Sequence, residues 1–306
     1  MGNPLEHRNG PVGFFQSDKG LFATLVTDES ELQSAVLLVK SKRAFAGALS
    51  SSRFLIFTTI EVGEAFSDFP EVGIIVFKPP EKLAGCLFGE KVAACRLAEE
   101  EAQLSGKTLI WIDPCCLLLR QPSEFIFEPP HKAALRPVHI TNIGQPVQEP
   151  LSDYWRKIYS ATGNHLPDFS IQSFIDGEDI LPYFNTHCFS MDPSIGLCAN
   201  WLMTLENLWK DPSVHACLSD IPHRVFLFQA VLSAVVTSHL HQDEILILPS
   251  DYSYPYHLHT MVPPEKGVRR MNELTCVVYE EESLNPGNLR GIKVDEPLAS
   301  WLNENV

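Results

Sequence analysis

Leu109-Ile110-Trp111-Ile112-Asp113-Pro114-Cys115-Cys116-Leu117-Leu118-Leu119 is the stretch on which the fold class turns. Leu109 to Ile112 offer no polar side chain to a wet face, which predicts a strand covered on both sides. Pro114 has no N–H to give to a ladder and ends the strand. Asp113 is thereby delivered at the carboxyl end of a central strand, the edge of an open α/β sheet at which ligands bind. A plainer role also fits, because Asp before Pro is a common turn starter. Cys115 and Cys116 then open a second apolar run.

Working outward, Gly89 to Ser105 has helical spacing, with Val92, Cys95 and Ala102 apolar and Glu99 to Glu101 expected on a solvated face. Gly106 stops it. Strands are expected at Leu21–Thr27, Phe54–Thr59 and Gly73–Phe77. Asp28 with Glu31 three residues later resembles a capping box and starts a helix through Leu32, Ala35, Val36 and Val39. Strand and helix alternating at this spacing predict βαβ units and an α/β fold with a mainly parallel sheet.

Beyond Phe125 the rhythm changes, with Pro129, Pro130, Pro137, Pro146 and Pro150 in close succession. The pattern there predicts a short strand at Ala133–Arg136 and a helix at Ser152–Ala161. Residues 163–180 read as irregular, and residues 183–193 as a polar-tipped loop entering a strand. Helices are expected at Ser194–Trp209 and Pro222–Ser238. A strand follows at Glu244–Leu248, then a Tyr- and His-rich loop at Asp251–Pro264, an edge strand at Thr275–Tyr279 and a short helix near Leu298–Leu302. The implied organisation is an arm over residues 1–20, one domain over residues 21–280 divided near residue 125, and a tail over residues 281–306.

Composition narrows the function. With 23 basic and 38 acidic side chains the net charge is −15, which disfavours nucleic acid and anionic membranes as partners. The most apolar run, Val225–Val236, is too short to span a bilayer. The eight cysteines include no C-x-x-C pair, which argues against a zinc knuckle. They read as reduced, mostly buried thiols of a cytoplasmic protein.

The order of these segments resembles the GT-A-type nucleotide-diphospho-sugar glycosyltransferases, notably the glycogenin- and galactosyltransferase-like group. The opening strand Phe22–Thr27 is similar to that family's nucleotide-binding strand. Leu109–Arg120 followed by Pro122-Ser123-Glu124-Phe125 is similar to its apolar strand, D-x-D, apolar run and closing segment. Phe184-Asn185-Thr186-His187 with Met191-Asp192-Pro193-Ser194 resembles its acceptor-side segment. Gln229, Leu248-Pro249 and Tyr252-Ser253-Tyr254 resemble later motifs.

The resemblance implies a three-layer α/β/α fold with a mainly parallel mixed central sheet. It also implies a nucleotide-sugar donor and a carbohydrate or protein acceptor. Val26, Thr27, Asp28, Trp111, Asp113 and Cys115 would meet the donor, and Asn185, His187 and Gln229 the reacting sugars. A divalent ion, Mn²⁺ or Mg²⁺, would be held by Asp113 with His257 and His259.

Three positions depart from the pattern. Cys115 stands for the second carboxylate of the D-x-D, His187 for a glycine and Ser253 for an asparagine. Mg²⁺ and Mn²⁺ favour oxygen, so Cys115 is a poor substitute. If His257 and His259 lay on a strand, both rings would face one side; otherwise they are two histidines on a wet loop. Lys266, Arg269 and Arg270 fit either a phosphate contact or a solvated turn. Cys115 and Cys116 fit inert thiols better than nucleophiles. The readings left are a transferase with altered or absent metal dependence and a catalytically inactive member of the fold. A G-x-S-x-G elbow is absent, which counts against a hydrolase.

Overall fold

The computed structural model describes residues 19–306, so the expected arm lies outside the described residues except for Lys19 and Gly20. In chain order the strands are β1 (Gly20–Val26), β2 (Phe54–Thr58), β3 (Val72–Val76), β4 (Thr108–Ile112), β5 (Cys116–Leu118), β6 (Ala133–Leu135), β7 (Ile171–Gln172), β8 (Asp179–Ile180), β9 (Cys188–Met191), β10 (Ile245–Ile247), β11 (Tyr254–Pro255) and β12 (Cys276–Val278). The helices are α1 (Glu29–Phe45), α2 (Gly89–Ser105), α3 (Asp153–Ala161), α4 (Leu197–Lys210), α5 (Pro212–His215), α6 (Ile221–Val225), α7 (Leu227–His239) and α8 (Leu298–Asn305).

Seven strands form one sheet in the order β10-β6-β9-β4-β1-β2-β3, with β4 at its centre. β9 runs antiparallel to both β4 and β6, and the other neighbouring pairs are parallel. Alternate residues of each strand point to opposite faces. Leu21, Ala23 and Leu25 of β1, with Leu109 and Trp111 of β4, pack against Val92, Cys95 and Ala98 of α2. Phe22, Val26, Ile110 and Ile112 pack instead against Leu32, Ala35 and Val39 of α1. The result is the α/β/α sandwich expected, with β4 buried on both faces.

A second sheet, β11-β12-β5, sits below the corner at Asp113. β12 is its middle strand, antiparallel to β5 and parallel to β11. The expected edge strand at residues 275–279 is thus interior, because the apolar run after Asp113 turns away from the main sheet to pair with it. Leu117 and Val277 join a third apolar cluster with Leu284, Leu289, Leu298 and Leu302 of the C-terminal segment. Trp301 meets Phe45 edge-on at 5.3 Å, which ties α8 to α1.

Local signals explain most boundaries. The Asp28 side chain accepts from the Glu31 N–H and caps α1. The Glu31 carboxylate reaches back one residue further than a capping box, to the N–H and hydroxyl of Thr27. Gly106, at φ 64°, closes α2 in a left-handed turn.

Three expectations are corrected. Glu99 is buried rather than solvated: its two oxygens accept the N–H groups of Cys198 and Ala199, the open first turn of α4. The helix expected over residues 222–238 is two, α6 and α7, separated at Phe226. Within the irregular residues 163–180, Ile171 and Gln172 pair with Asp179 and Ile180 as a short hairpin. Among the described residues, no helix is long and apolar enough to cross a membrane.

Candidate active site

A cleft of about 650 Å³ opens above the carboxyl ends of β1 and β4, and Asp113, Pro114 and Cys115 line it. The end of β4 is pinned by the Asp113 N–H, which donates to the His187 carbonyl at 2.7 Å. Both oxygens of the Asp113 carboxylate are engaged. The Trp111 indole N–H donates to Oδ1 at 2.8 Å, and the Lys91 ammonium donates to Oδ2 at 2.6 Å. Lys91 also donates to the Thr186 carbonyl at 3.0 Å and lies 5.4 Å from the centroid of the Phe228 ring. The two charges are only 8% and 15% exposed, so they are shielded from water and need one another.

Histidines form the second part of the site. His187 receives support on both ring nitrogens: Nδ1 lies 2.8 Å from Asn185 Oδ1 and Nε2 lies 2.8 Å from Glu280 Oε1. Asn185 Oδ1 also accepts the His187 backbone N–H, which fixes the amide orientation. The buried His139 ring stacks on His187 at 5.7 Å with 6° between planes, and His257 lies 5.8 Å from His139. His139 Nε2 meets the Ser253 carbonyl at 2.7 Å. Burial, then the neighbouring His187 and His257, holds His139 well below the ordinary imidazole range. The hydrogen bond from His187 pulls the Glu280 carboxyl down to about 2. Glu280 presents its carboxylate from a left-handed backbone at φ 52°, a conformation costly for a residue with a Cβ.

The far wall is apolar. Phe88, at φ 61° before α2, stacks on Phe228 with ring centroids 4.6 Å apart, and Val225 and Phe226 lie beside them. Val225, Phe226 and Phe228 come from the break between α6 and α7. Gln229 is buried and lines the cleft, taking the Thr186 hydroxyl at 3.3 Å. The cleft is acidic, with Asp28, Glu31, Asp113, Glu280 and Glu281 against the ammonium of Lys91.

Asp28, Asp113, Cys115, Asn185, His187, Gln229 and His257 of the sequence-derived set all line this cleft. Val26 is wholly buried in β1, facing α1. Thr27 is spent on Glu31, and Trp111 supports Asp113 from below. His257 and His259 do not lie on a strand. They sit in the 3-10 turn Tyr256–Met261, where a three-residue repeat sends i and i+2 in different directions. His257 Nδ1 faces the Val278 carbonyl, while His259 Nδ1 meets the Tyr254 hydroxyl at 2.7 Å. Lys266 donates to the Phe174 carbonyl and Arg270 pairs with Asp295, both outside the cleft lining.

Lys91, His139, Glu280 and the Phe88–Phe228 wall were not singled out by sequence. Lys91 had a signal. It lies in helical phase with Cys95, Ala98 and Ala102, a charge on the apolar stripe of α2.

Among the described residues, one group brings three metal-binding atoms together: Asp113, Cys115 and His187, with ligand atoms within 4.8 Å of one another. A hydrogen bond from Cys116 pulls the Cys115 thiol down, but burial together with the Asp113 and Glu280 carboxylates outweighs it and leaves the thiol above its ordinary range. The set offers oxygen, sulfur and nitrogen, which does not fit a hard Mg²⁺ or Mn²⁺.

The sequence matches the Rhodobacterales glycosyltransferase domain over residues 23–239, more than two thirds of the chain. The chain belongs to that glycosyltransferase domain family. The match ends at the close of α7, so this glycosyltransferase domain includes the Asp113 corner, the Asn185–His187 segment and Gln229, while Glu280 lies beyond it.

Solved structures show the same GT-A fold. The galactosyltransferase LgtC in complex with donor and acceptor sugar analogs is 13% identical, with 93% of this chain and 94% of that chain covered and a TM-score of 0.52. An active-site mutant of LgtC is 14% identical over the same shares, with a TM-score of 0.50. Core-mannan synthase A from Aspergillus fumigatus, in an Mn/GDP form, is a looser match: 11% identical, 80% of this chain and 78% of that chain covered, TM-score 0.46. A comparison with curated protein sequences finds no match.

Proposed function

We propose that this cleft transfers a sugar from a nucleotide-diphospho-sugar to a carbohydrate or protein acceptor, with altered or absent dependence on a divalent ion. Membership of a glycosyltransferase family supports the reaction class. The observation that carries the metal reading is the Lys91–Asp113 pair, because it sets an ammonium beside the carboxylate where the family resemblance expects an ion.

Glycosyl transfer passes through an oxocarbenium-like state, and the diphosphate leaves with growing negative charge. A fixed cation in a water-poor pocket stabilises that charge without reorganising. Lys91 fits this role. An ammonium has three hydrogens; Asp113 and the Thr186 carbonyl take two. The third serves a phosphate oxygen. Asp113 holds Lys91 in place, and Trp111 holds Asp113. Asn185, Gln229 and the Thr186 hydroxyl supply polar groups for sugar hydroxyls, and the Phe88–Phe228 wall excludes water. The support of His187 from the buried Asn185 and from Glu280 favours a working site over a retired one, since polar groups are arranged there at the cost of a left-handed Glu280.

The test is calorimetric and thermal-shift titration with UDP and GDP, in chelated buffer and with Mn²⁺. A nucleotide that binds only the folded chain raises its melting temperature. The expected result is binding that survives chelation and is lost in Lys91→Met. Failure of both nucleotides to bind in any buffer overturns the reading.

A further inference from the structure

We infer that Arg136 and Lys266, which flank the ring of Phe174, form a binding site for a small oxyanion, phosphate or carboxylate, outside the transfer cleft. The inference stands apart from the transferase reading, since none of the three residues lines that cleft.

Arg136 carries the argument. It follows β6 directly and is only 6% exposed. Its guanidinium makes no ion pair or side-chain hydrogen bond among the described residues, and Nε is sealed from solvent with no partner. Buried charges are ordinarily paired, because an isolated one is costly to take out of water. The other two buried cations of the described chain obey that rule: Lys42 and Lys91 each have two oxygen partners. Nη1 and Nη2 of Arg136 also lack partners, but neither is sealed, so the fork opens at its outer end. Asp251 favours the charge from a distance, while its Oδ2 takes the Thr275 hydroxyl at 2.6 Å. Burial still lowers Arg136 from 12.5 to about 10, as a cation without an adequate counter-ion should be.

The surroundings complete the site. The Arg136 guanidinium carbon lies 4.6 Å from the centroid of the Phe174 ring, and Lys266 Nζ lies 5.9 Å from the same centroid. Two cations thus gather at one ring in a chain of net charge −15. Lys266 gives one ammonium hydrogen to the Phe174 carbonyl at 2.7 Å and keeps two. Backbone bonds fix the parts: the Phe174 N–H donates to the Val138 carbonyl at 2.9 Å, and the Asn185 N–H to the Arg136 carbonyl at 2.7 Å. The ring orients a planar fork, and such a fork matches two oxygens of a carboxylate or a phosphate. An oxyanion seated there supplies the missing counter-charge, with Lys266 as the second cation at its rim.

The test titrates the full chain with inorganic phosphate and with malonate, by calorimetry at constant ionic strength. We expect saturable binding of at least one anion. Arg136→Met should weaken it about tenfold or more, the worth of hydrogen bonds to a charged group. Lys266→Met should weaken it about threefold. Lys91→Met should leave it unchanged, which separates this site from the cation of the cleft. Melting temperature is the second readout. Arg136→Met removes an unpaired buried charge, so in chloride buffer it should melt above the wild type. Saturating anion should close the gap by raising the wild type alone. Tighter binding of phosphate identifies a phosphorylated ligand and tighter binding of malonate a carboxylic one; either supports the site.

Failure of both anions to bind, or binding untouched by Arg136→Met, would overturn the inference. So would binding abolished by Lys91→Met, which places the anion in the cleft. Equal stabilisation of the wild type and Arg136→Met by phosphate is a general salt effect and overturns it too. An Arg136→Met chain that melts below the wild type in chloride would show that Arg136 is already satisfied, with the same consequence. UDP and GDP binding enters none of these outcomes, so the transferase reading stands or falls separately.

Discussion

Lys91 Nζ lies 2.6 Å from Asp113 Oδ2, joining the first turn of α2 to the end of the central strand, with both side chains largely shielded from solvent. Neither charge is comfortable alone there. Lys91→Met leaves a carboxylate without its counter-ion, a change that costs about 3–5 kcal/mol at buried pairs. Adding Asp113→Asn removes the second charge and should restore much of that stability in urea unfolding. Nucleotide affinity should stay low in both variants. A double variant no more stable than Lys91→Met would show that the pair is not coupled.

Glu280 makes the site sensitive to acid. Its carboxyl sits near 2 in the folded chain, chiefly through the His187 hydrogen bond, against an ordinary 4.5. A depressed carboxyl contributes stability that is present above the ordinary value and is lost as pH falls through the folded one. Glu280→Gln should therefore melt below the wild type from pH 5 to 7, and the gap should close as pH approaches 2. A gap that persists at pH 2 would place the effect of Glu280 elsewhere than in its charge.

Lys42 gives the same direction of pH dependence from a buried cation, in an alkaline window. It is wholly buried in α1, with its ammonium donating to the Ser50 and Ser52 carbonyls. Burial lowers it from 10.5 to about 8. Because the folded value is the lower one, its contribution to stability is greatest above 10.5 and is lost as pH falls to 8. The full span is about 3 kcal/mol. Unfolding free energy of the wild type, measured against Lys42→Met, should rise by about that amount between pH 8 and 10.5. A difference that is flat with pH would mean that Lys42 keeps an ordinary proton affinity.

Glu99 is a structural counterpart with no place in the cleft. Its carboxylate holds the Cys198 and Ala199 N–H groups at 2.8 and 2.9 Å, which caps α4 from the neighbouring helix. Glu99→Ala leaves both donors without that acceptor and should cost about 3 kcal/mol in urea unfolding. Glu99→Gln keeps one acceptor and should cost about half as much. Nucleotide affinity of the folded variants should match the wild type. Loss of binding with full stability would show that the α2–α4 junction shapes the cleft.

How much of this was visible beforehand follows the range of the interactions. The run Leu109–Ile112 was recognisable as a central strand because burial on both faces removes every polar residue from it. The α1 cap at Asp28 and the stop at Gly106 were recognisable because each is settled within a few residues by backbone hydrogen bonding. Glu99 was misplaced because it sits in an acidic run on a helix, and local pattern reports only that the run is charged. Its partners are in α4, about a hundred residues away. The sequence leaves His257 and His259 open between a strand pair and a loop, because local pattern does not fix the backbone there, and a 3-10 turn separates the two rings.

The amino-acid order by itself determined the α/β layering, the central strand and the delivery of Asp113 to its carboxyl end, since hydrophobic periodicity and turn chemistry act over short distances along the chain. Only the tertiary structure decided what Asp113 meets beyond its own strand: Lys91 from α2, and a His187 braced by Glu280 across 93 residues. Charges and ligands act through space, and their partners are chosen by how the layers dock. A side chain's chemistry is therefore written in the sequence, while the company that gives it a function is not.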